Sequence, residues 1–162
     1  SWDGGPCQIQ IHWGDARFIA RLLQQQQACF DIICLDPFST QRCSELWTAD
    51  FLAILRDLLE PARGVLLTYS TAGPVRAGML AAELYPGELS PPGSSIRGTI
   101  AVRHPANVRH PLSPEDLRRL QDSSKGIPFS DPTLLGSNSE ILRRREEMVR
   151  SWRRSHASQS ST

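Results

Sequence analysis

Cysteine is scarce and unpaired in this chain. Its four cysteines, Cys7, Cys29, Cys34 and Cys43, form no CxxC pair, and none of its four histidines stands at zinc-finger spacing from them. That argues against a disulfide framework or a metal site and leaves a reducing, cytoplasmic setting as the expectation. No apolar run approaches the roughly 18 residues of a membrane helix. The segment Ser1-Trp2-Asp3-Gly4-Gly5 has neither the basic start nor the apolar stretch of a signal peptide, so no membrane association is expected. Neither sign of charge dominates: 18 basic residues against 17 acidic ones leave +1, so any nucleic-acid partner must be met by a local patch. There is no GxSxG turn, no histidine spacing suited to a nucleophilic triad, no dinucleotide-binding glycine motif and no internal repeat.

What is present is enough apolar sequence, 40% of 162 residues, for one domain with a core. Residues 8–12 alternate polar and apolar side chains like a strand, and Gly14-Asp15 stops them. Residues 16–25 place Phe18, Ile19, Leu22 and Leu23 on one helical face, with Asp15 as the cap. Residues 30–35 form a nearly continuous apolar run, the pattern of a parallel strand covered on both faces. Thr48 caps a helix lined by Phe51, Leu52, Leu55, Leu58 and Leu59, and Pro61 and Gly64 mark its exit. A strand over 65–69, a helix around 75–82 and weaker strands over 83–89 and 98–103 complete the pattern. Strands alternating with helices predict an α/β fold with a mostly parallel sheet and helices on both faces, and the last two strands form an antiparallel edge hairpin.

Beyond His104 the texture changes. Pro105, Pro111, Pro114, Pro128 and Pro132 punctuate short segments that are expected to wrap the domain. Ser137-Asn138-Ser139-Glu140 fits a capping box for a helix over 139–153, and a polar, disordered tail is expected over 155–162. The organisation expected is a sheet domain over 1–104, a wrapping segment with a basic helix over 105–154, and that tail. The helix carries Arg143, Arg144, Arg145, Arg150, Arg153 and Arg154. These suit RNA phosphates, but Glu140, Glu146 and Glu147 interleave with them and favour a salt-bridged, solvated face.

In open α/β sheets, ligands bind beyond the carboxyl ends of the strands, which singles out Asp15, Asp36 and Ser70. Asp36-Pro37-Phe38-Ser39 sets a carboxylate, a proline-constrained backbone and a ring at one sheet edge. This combination suits an amine substrate. The carboxylate orients the amine's protons, a backbone carbonyl takes a second N–H, and the ring stacks on a base. The same residues also read as a capping aspartate and a core phenylalanine.

The wider wording carries a resemblance. Leu35-Asp36-Pro37-Phe38-Ser39, Glu45-Leu46-Trp47-Thr48, Phe51-Leu52 and Thr68-Tyr69-Ser70-Thr71-Ala72-Gly73-Pro74-Val75-Arg76, with His12-Trp13-Gly14-Asp15-Ala16-Arg17 upstream, together resemble the MnmC-like methyltransferase domain over roughly residues 9–102. That family makes 5-methylaminomethyl-2-thiouridine at the tRNA wobble position, alone or fused to a flavin-dependent oxidase. The resemblance implies a class I, Rossmann-like fold, S-adenosyl-L-methionine as cofactor, tRNA as partner and a flavin-dependent oxidase acting on the same tRNA position. It implies that Asp15 and Ala16 lie near the adenine, and that Asp36 sits at the transferred methyl and acceptor amine. Pro37 and Phe38 would shape the pocket, while Ser39, Trp47, Ser70, Arg76 and Arg97 would serve the substrate. For Trp47 a packing role, and for Arg76 a charge merely exposed on a helix, are equally open.

Two departures stand out. Where relatives read Pro-Lys-Asn-Pro, this chain has Thr40-Gln41-Arg42-Cys43-Ser44, which leaves another amine or RNA acceptor open. The glycine-rich turn and second-strand acidic residue that hold the rest of the cofactor are not found, and Gly4-Gly5 precede no helix. The chain therefore reads as a C-terminal portion, inactive alone, with a non-catalytic RNA- or protein-binding module as the rival reading. Isothermal titration of this chain with S-adenosyl-L-methionine is expected to show at most weak binding; micromolar affinity would refute that.

Overall fold

The computed structural model describes residues 7–91 and 93–157. Gly4 and Gly5, and residues 158–162 of the expected tail, lie outside them. Helix α1 (Ala16–Gln25) starts where Asp15 accepts a hydrogen bond from Arg17 N. Strand β1 (Ile32–Cys34) follows, then a single 3₁₀ turn (Ser44–Trp47) and helix α2 (Ala49–Leu58), capped by the Thr48 hydroxyl, which accepts from Phe51 N. Strand β2 (Val65–Thr68), helix α3 (Gly73–Ala81), strand β3 (Tyr85–Glu88) and strand β4 (Thr99–Val102) complete the sheet.

The strand order is β1-β2-β4-β3. β1 pairs with β2 in parallel, and β4 lies antiparallel to both β2 and β3. Three of the four strands therefore point the same way, with β4 reversed between them, so the expected α/β sheet with its antiparallel hairpin is present. The carboxyl ends of β1, β2 and β3, and the amino end of β4, share one rim. Asp36, after β1, and Ser70, after β2, arrive there, whereas Asp15 caps α1 with no strand before it among the described residues.

α1, α2 and α3 pack side by side as one layer. Phe51, Leu52, Ile54, Leu55 and Leu58 of α2 are buried with Leu35, Leu66, Ala101, Val75 and Met79 in a single cluster. Each such side chain contributes about 1.5–3 kcal/mol by leaving water. The opposite face of β1 is not covered: Ile32 is 59% exposed and Cys34 is exposed. This corrects the expectation of a doubly covered strand, because only alternate residues, Ile33 and Leu35, turn toward the helices. Residues 8–12 form no strand either. Ile9 and Ile11 are 80% and 71% exposed, and no described strand lies beside them to accept their backbone groups.

The segment after His104 crosses back over the domain. Pro111 bridges Gly87 at the edge of β3, and Phe129 bridges Thr48. Between them lies helix α4 (Pro114–Asp122), which the reading of short proline-punctuated segments missed. Its signal was legible: Ser113 caps Asp116 N, Pro114 opens the first turn, and Glu115 and Asp116 follow at the helix's positive end. Helix α5 (Asn138–Ala157) begins with the expected capping box, Ser137 N donating to Glu140 at 2.8 Å. It continues through residues 155–157, where a disordered tail was expected. Along it Arg143 pairs with Glu147 and Arg150 with Glu146, while Arg144 and Arg145 donate to the carbonyls of Ser130 and Ile127. The interleaved acids make this largely a salt-bridged surface helix.

One buried ionic cluster ties α1 and α2 to the segment before α5. Asp131 is fully buried and accepts from Arg17 Nη1 at 3.1 Å, from Gly136 N and from Thr133 Oγ1. Its own amide donates to Asp50 at 2.6 Å. Removing one member strands a desolvated guanidinium, though Asp15 still holds part of it. Asp131→Ala is expected to cost about 3 kcal/mol, at the lower end for a broken buried pair. Urea unfolding checks this, and an unchanged midpoint would refute it.

Candidate functional site

Leu35 N donates to Leu67 O at 2.8 Å, the last rung holding the chain to β2. Past it the backbone leaves the sheet as Asp36-Pro37-Phe38-Ser39. Proline has no N–H for a ladder and keeps the residue before it extended, so this departure is written into the sequence. Two aromatic donors then catch the freed carbonyls. Tyr69 Oη donates to Pro37 O at 2.9 Å, and the fully buried Trp47 donates its Nε1–H to Phe38 O at 2.9 Å. The two rings meet edge to face, 6.0 Å between centroids and 85° between planes. Ser39 O closes the turn by accepting from Arg42 N and Cys43 N.

The result is a cavity of about 600 Å³ lined by Asp36, Pro37, Phe38, Ser39, Cys43, Leu46 and Tyr69. The Asp36 carboxylate is exposed and has no hydrogen bond or ion pair among the described residues. Phe38 is 74% exposed, so its ring faces solvent rather than the core. A free carboxylate, an open ring face and a pinned backbone thus meet at the carboxyl end of β1. With Pro37 and Phe38 carbonyls already accepting, the carbonyl of Asp36 itself is left to take a substrate N–H.

Asp36, Pro37, Phe38 and Ser39 come together as the sequence implied, and other expected residues do not join them. Trp47 lies beneath the loop as its support and offers no face to the cavity. Ser70 is buried as a rim brace: its Oγ accepts from Ala72 N, and its carbonyl accepts from Thr99 Oγ1 at 2.7 Å. Arg76, which was open to tRNA contact or to a charge exposed on a helix, is buried. It pairs with Glu88 at 3.0 Å and donates to Thr99 Oγ1. Arg97 is exposed on the β3–β4 connection and lines a separate cavity. Tyr69 was not singled out in the sequence, although it is the first residue beyond β2. Successive residues there face opposite ways, so choosing Ser70 meant choosing the wrong side.

A second, apolar groove of about 380 Å³ runs between α1 and the open edge of β1. Gly14, Ala16, Ile19, Ile33, Leu35 and Phe51 are among its walls. Gly14 stands at φ +140° with open space where a Cβ would be. Asp15 flanks this groove, but Arg17 grips it in a bidentate pair at 2.8–3.2 Å. The hydrogen bonds from Arg17 hold the Asp15 carboxyl below the ordinary carboxylate range. The groove's walls are mostly apolar side chains. No glycine-rich turn among the described residues stands beside it. Among the described residues no three His, Cys, Asp or Glu side chains cluster to hold a metal, and no helix is long and apolar enough to cross a membrane.

Comparison with known proteins shows what the chain is similar to. Residues 1–99 match the model of a family described as S-adenosyl-L-methionine-dependent methyltransferase. The chain is 28% identical over 139 residues to an uncharacterized protein of Methanocaldococcus jannaschii, covering 86% of this chain and 38% of that protein. It is 34% identical over 120 residues to the tRNA 5-methylaminomethyl-2-thiouridine biosynthesis bifunctional protein MnmC of Paracidovorax citrulli, covering 71% of this chain and 18% of that one. The crystal structure of MnmC2 from Aquifex aeolicus superposes with a TM-score of 0.74 at 27% identity, over 85% of this chain and 44% of the other. The chain spans less than half the length of each of these three.

The two aromatic donors generate a testable consequence. Tyr69→Phe keeps the ring and removes one hydrogen bond, worth about 0.5–1.5 kcal/mol. Amide exchange at Arg42 and Cys43, whose N–H groups donate to Ser39 O, is expected to quicken while the α2 amides stay protected; unchanged exchange at Arg42 and Cys43 would show that Tyr69 does not hold the turn.

Proposed function

We propose that this chain, which belongs to the S-adenosyl-L-methionine-dependent methyltransferase family and is an MnmC-like methyltransferase domain, serves transfer of a methyl group to the aminomethyl nitrogen of a wobble uridine in tRNA. The single observation that carries the reading is the unpartnered Asp36 carboxylate on a backbone pinned by Tyr69 and Trp47, beside the open ring of Phe38. The name of the Paracidovorax relative supports the choice of acceptor.

S-adenosyl-L-methionine, when bound, would supply an electrophilic sulfonium methyl, the carbon–sulfur pair staying on sulfur as a neutral thioether and the positive charge passing to the newly methylated nitrogen. The chain's own residues prepare the nitrogen. A primary or secondary alkylamine is mostly protonated at neutral pH and has no lone pair to offer in that state. Asp36 accepts one amine proton and the Asp36 carbonyl a second N–H, which turns the lone pair toward the donor side of the rim. Phe38 gives the uracil ring a face to stack on, as exposed aromatics do with splayed-out bases. Ala16, Ile33 and Leu35 would lie against the adenine of the cofactor, with Asp15 beside it. Alignment is the main source of acceleration, since the chemistry needs one nitrogen and one methyl carbon held in line.

Asp36→Asn tests this directly. The side chain has no described partner, so the fold and its unfolding midpoint stay unchanged. Transfer of labelled methyl to tRNA by the full-length protein is expected to fall by about 10²-fold or more, the usual worth of a positioned acid–base group. Parent-level turnover would move the chemistry to another residue.

A further inference from the structure

A cavity of about 620 Å³ opens on the same rim, on the β3 side, lined among others by Glu88, Ile96, Arg97, Arg109, His110 and Asp116. Its wall is firmly built. The segment carrying Arg109 and His110 lies against β3: Glu88 N donates to His110 O at 2.7 Å, and Gly87 bridges Pro111. A Cβ at Gly87 would stand 2.6 Å from His110 O and 2.7 Å from a Val108 methyl, so glycine is what lets this segment close in.

The charges around the cavity are unequal in what they are free to do. Glu88 is held by Arg76, and Asp116 accepts from the Ser113 hydroxyl and faces Arg119. Arg97 and Arg109 are both exposed, and neither has an ion pair or side-chain hydrogen bond among the described residues. The His110 ring is likewise uncommitted. The carboxylates are therefore already met by protein groups, while two guanidiniums point into open space with their donors unused. A guanidinium's planar fork of N–H groups matches a phosphate oxygen pair.

We propose that this cavity is a phosphodiester notch that grips the backbone of an RNA acceptor through Arg97 and Arg109. The inference rests on the reading of that acceptor as RNA, and geometry favours a polymer over a lone anion. From β1, where Asp36 sits, to β3 is three strand spacings, about 14 Å. That equals the rise of about four nucleotides in a stacked strand. One strand of nucleic acid thus reaches from the Asp36 cavity to the notch, with Ser70, Thr99 and the neutralised Arg76–Glu88 pair between them.

The test is binding of fluorescein-labelled tRNA to this chain by anisotropy across a salt series, with Arg97→Ala, Arg109→Ala and the double variant. Arg63→Ala, an exposed arginine at the amino end of β2 on the opposite rim, is the control. Each notch variant is expected to lower the slope of log affinity against log salt by about one, and the control to leave it unchanged. Equal slopes for parent and double variant, or no RNA binding by the parent at low salt, would overturn the proposal. So would competition by inorganic phosphate as strong as by unlabelled tRNA, which would make the notch a small-anion site. The two readings fail separately: tRNA held through Arg97 and Arg109 without methyl transfer by the full-length protein keeps the notch and removes the proposed reaction.

Discussion

Where the backbone goes on leaving β1 governs the rest of the site. A strand that ends in Asp-Pro cannot continue its ladder, and the carbonyls beyond it need donors. Tyr69, at the end of the neighbouring strand, and Trp47, at the floor of the following loop, are those donors. Because aromatic side chains on rigid elements satisfy the turn, the Asp36 carboxylate is not consumed in capping its own loop. The usual fate of an aspartate after a strand is to bond the amides two or three residues on. Here that work is done from outside, and the carboxylate stays available to a substrate.

The loop's floor depends in turn on the segment that follows the sheet. Ser44, at the base of the loop, binds Asn138 through both its amide and hydroxyl, and Asn138 also donates to Gln41 O. Phe129 lies beside Thr48 and under Arg145, whose guanidinium sits 5.0 Å from the ring centre. Burial pushes the Arg145 pKa down, and its donors are spent on the carbonyls of Ile127 and Ser124. Asp131 then joins α1 and α2 through Arg17 and Asp50. The proline-rich stretch acts as a strap: it supplies polar partners where the chain from α1 to α2 would otherwise leave buried groups unmet.

The order of elements and the position of Asp36 were legible because both rest on local signals. Periodicity marked α1, α2 and α3, short apolar runs marked β1 and β2, and a proline after an acidic residue marked the strand's end. What stayed hidden depends on contacts remote in sequence. Nothing in Arg76 itself announces that Glu88 and Thr99 will bury it. The alternation at residues 8–12 is a real strand signal, yet a strand exists only beside a partner, and none of the described strands stands next to it. Helix α4 is a different kind of omission. Ser-Pro-Glu-Asp was a readable start, and the prolines around it drew attention to breaks rather than to a proline's preference for the first helical turn.

The strand order also divides the rim by chemistry. At the β1 edge the groove is apolar, walled by Ala16, Ile33, Leu35 and Phe51. At the carboxyl end of the same strand stands one free carboxylate, beside the exposed rings of Phe38 and Tyr69. On the β3 side the unspent charges are both positive. Had Arg76 been exposed, as a helix reading allowed, a third cation would stand between Asp36 and the notch and compete for the carboxylate. Its burial against Glu88 removes that competition and spaces the positive charge away from Asp36. The proposed reaction asks for the same order: an apolar surface for a nucleoside donor, a carboxylate for an amine, and cations for a phosphate backbone.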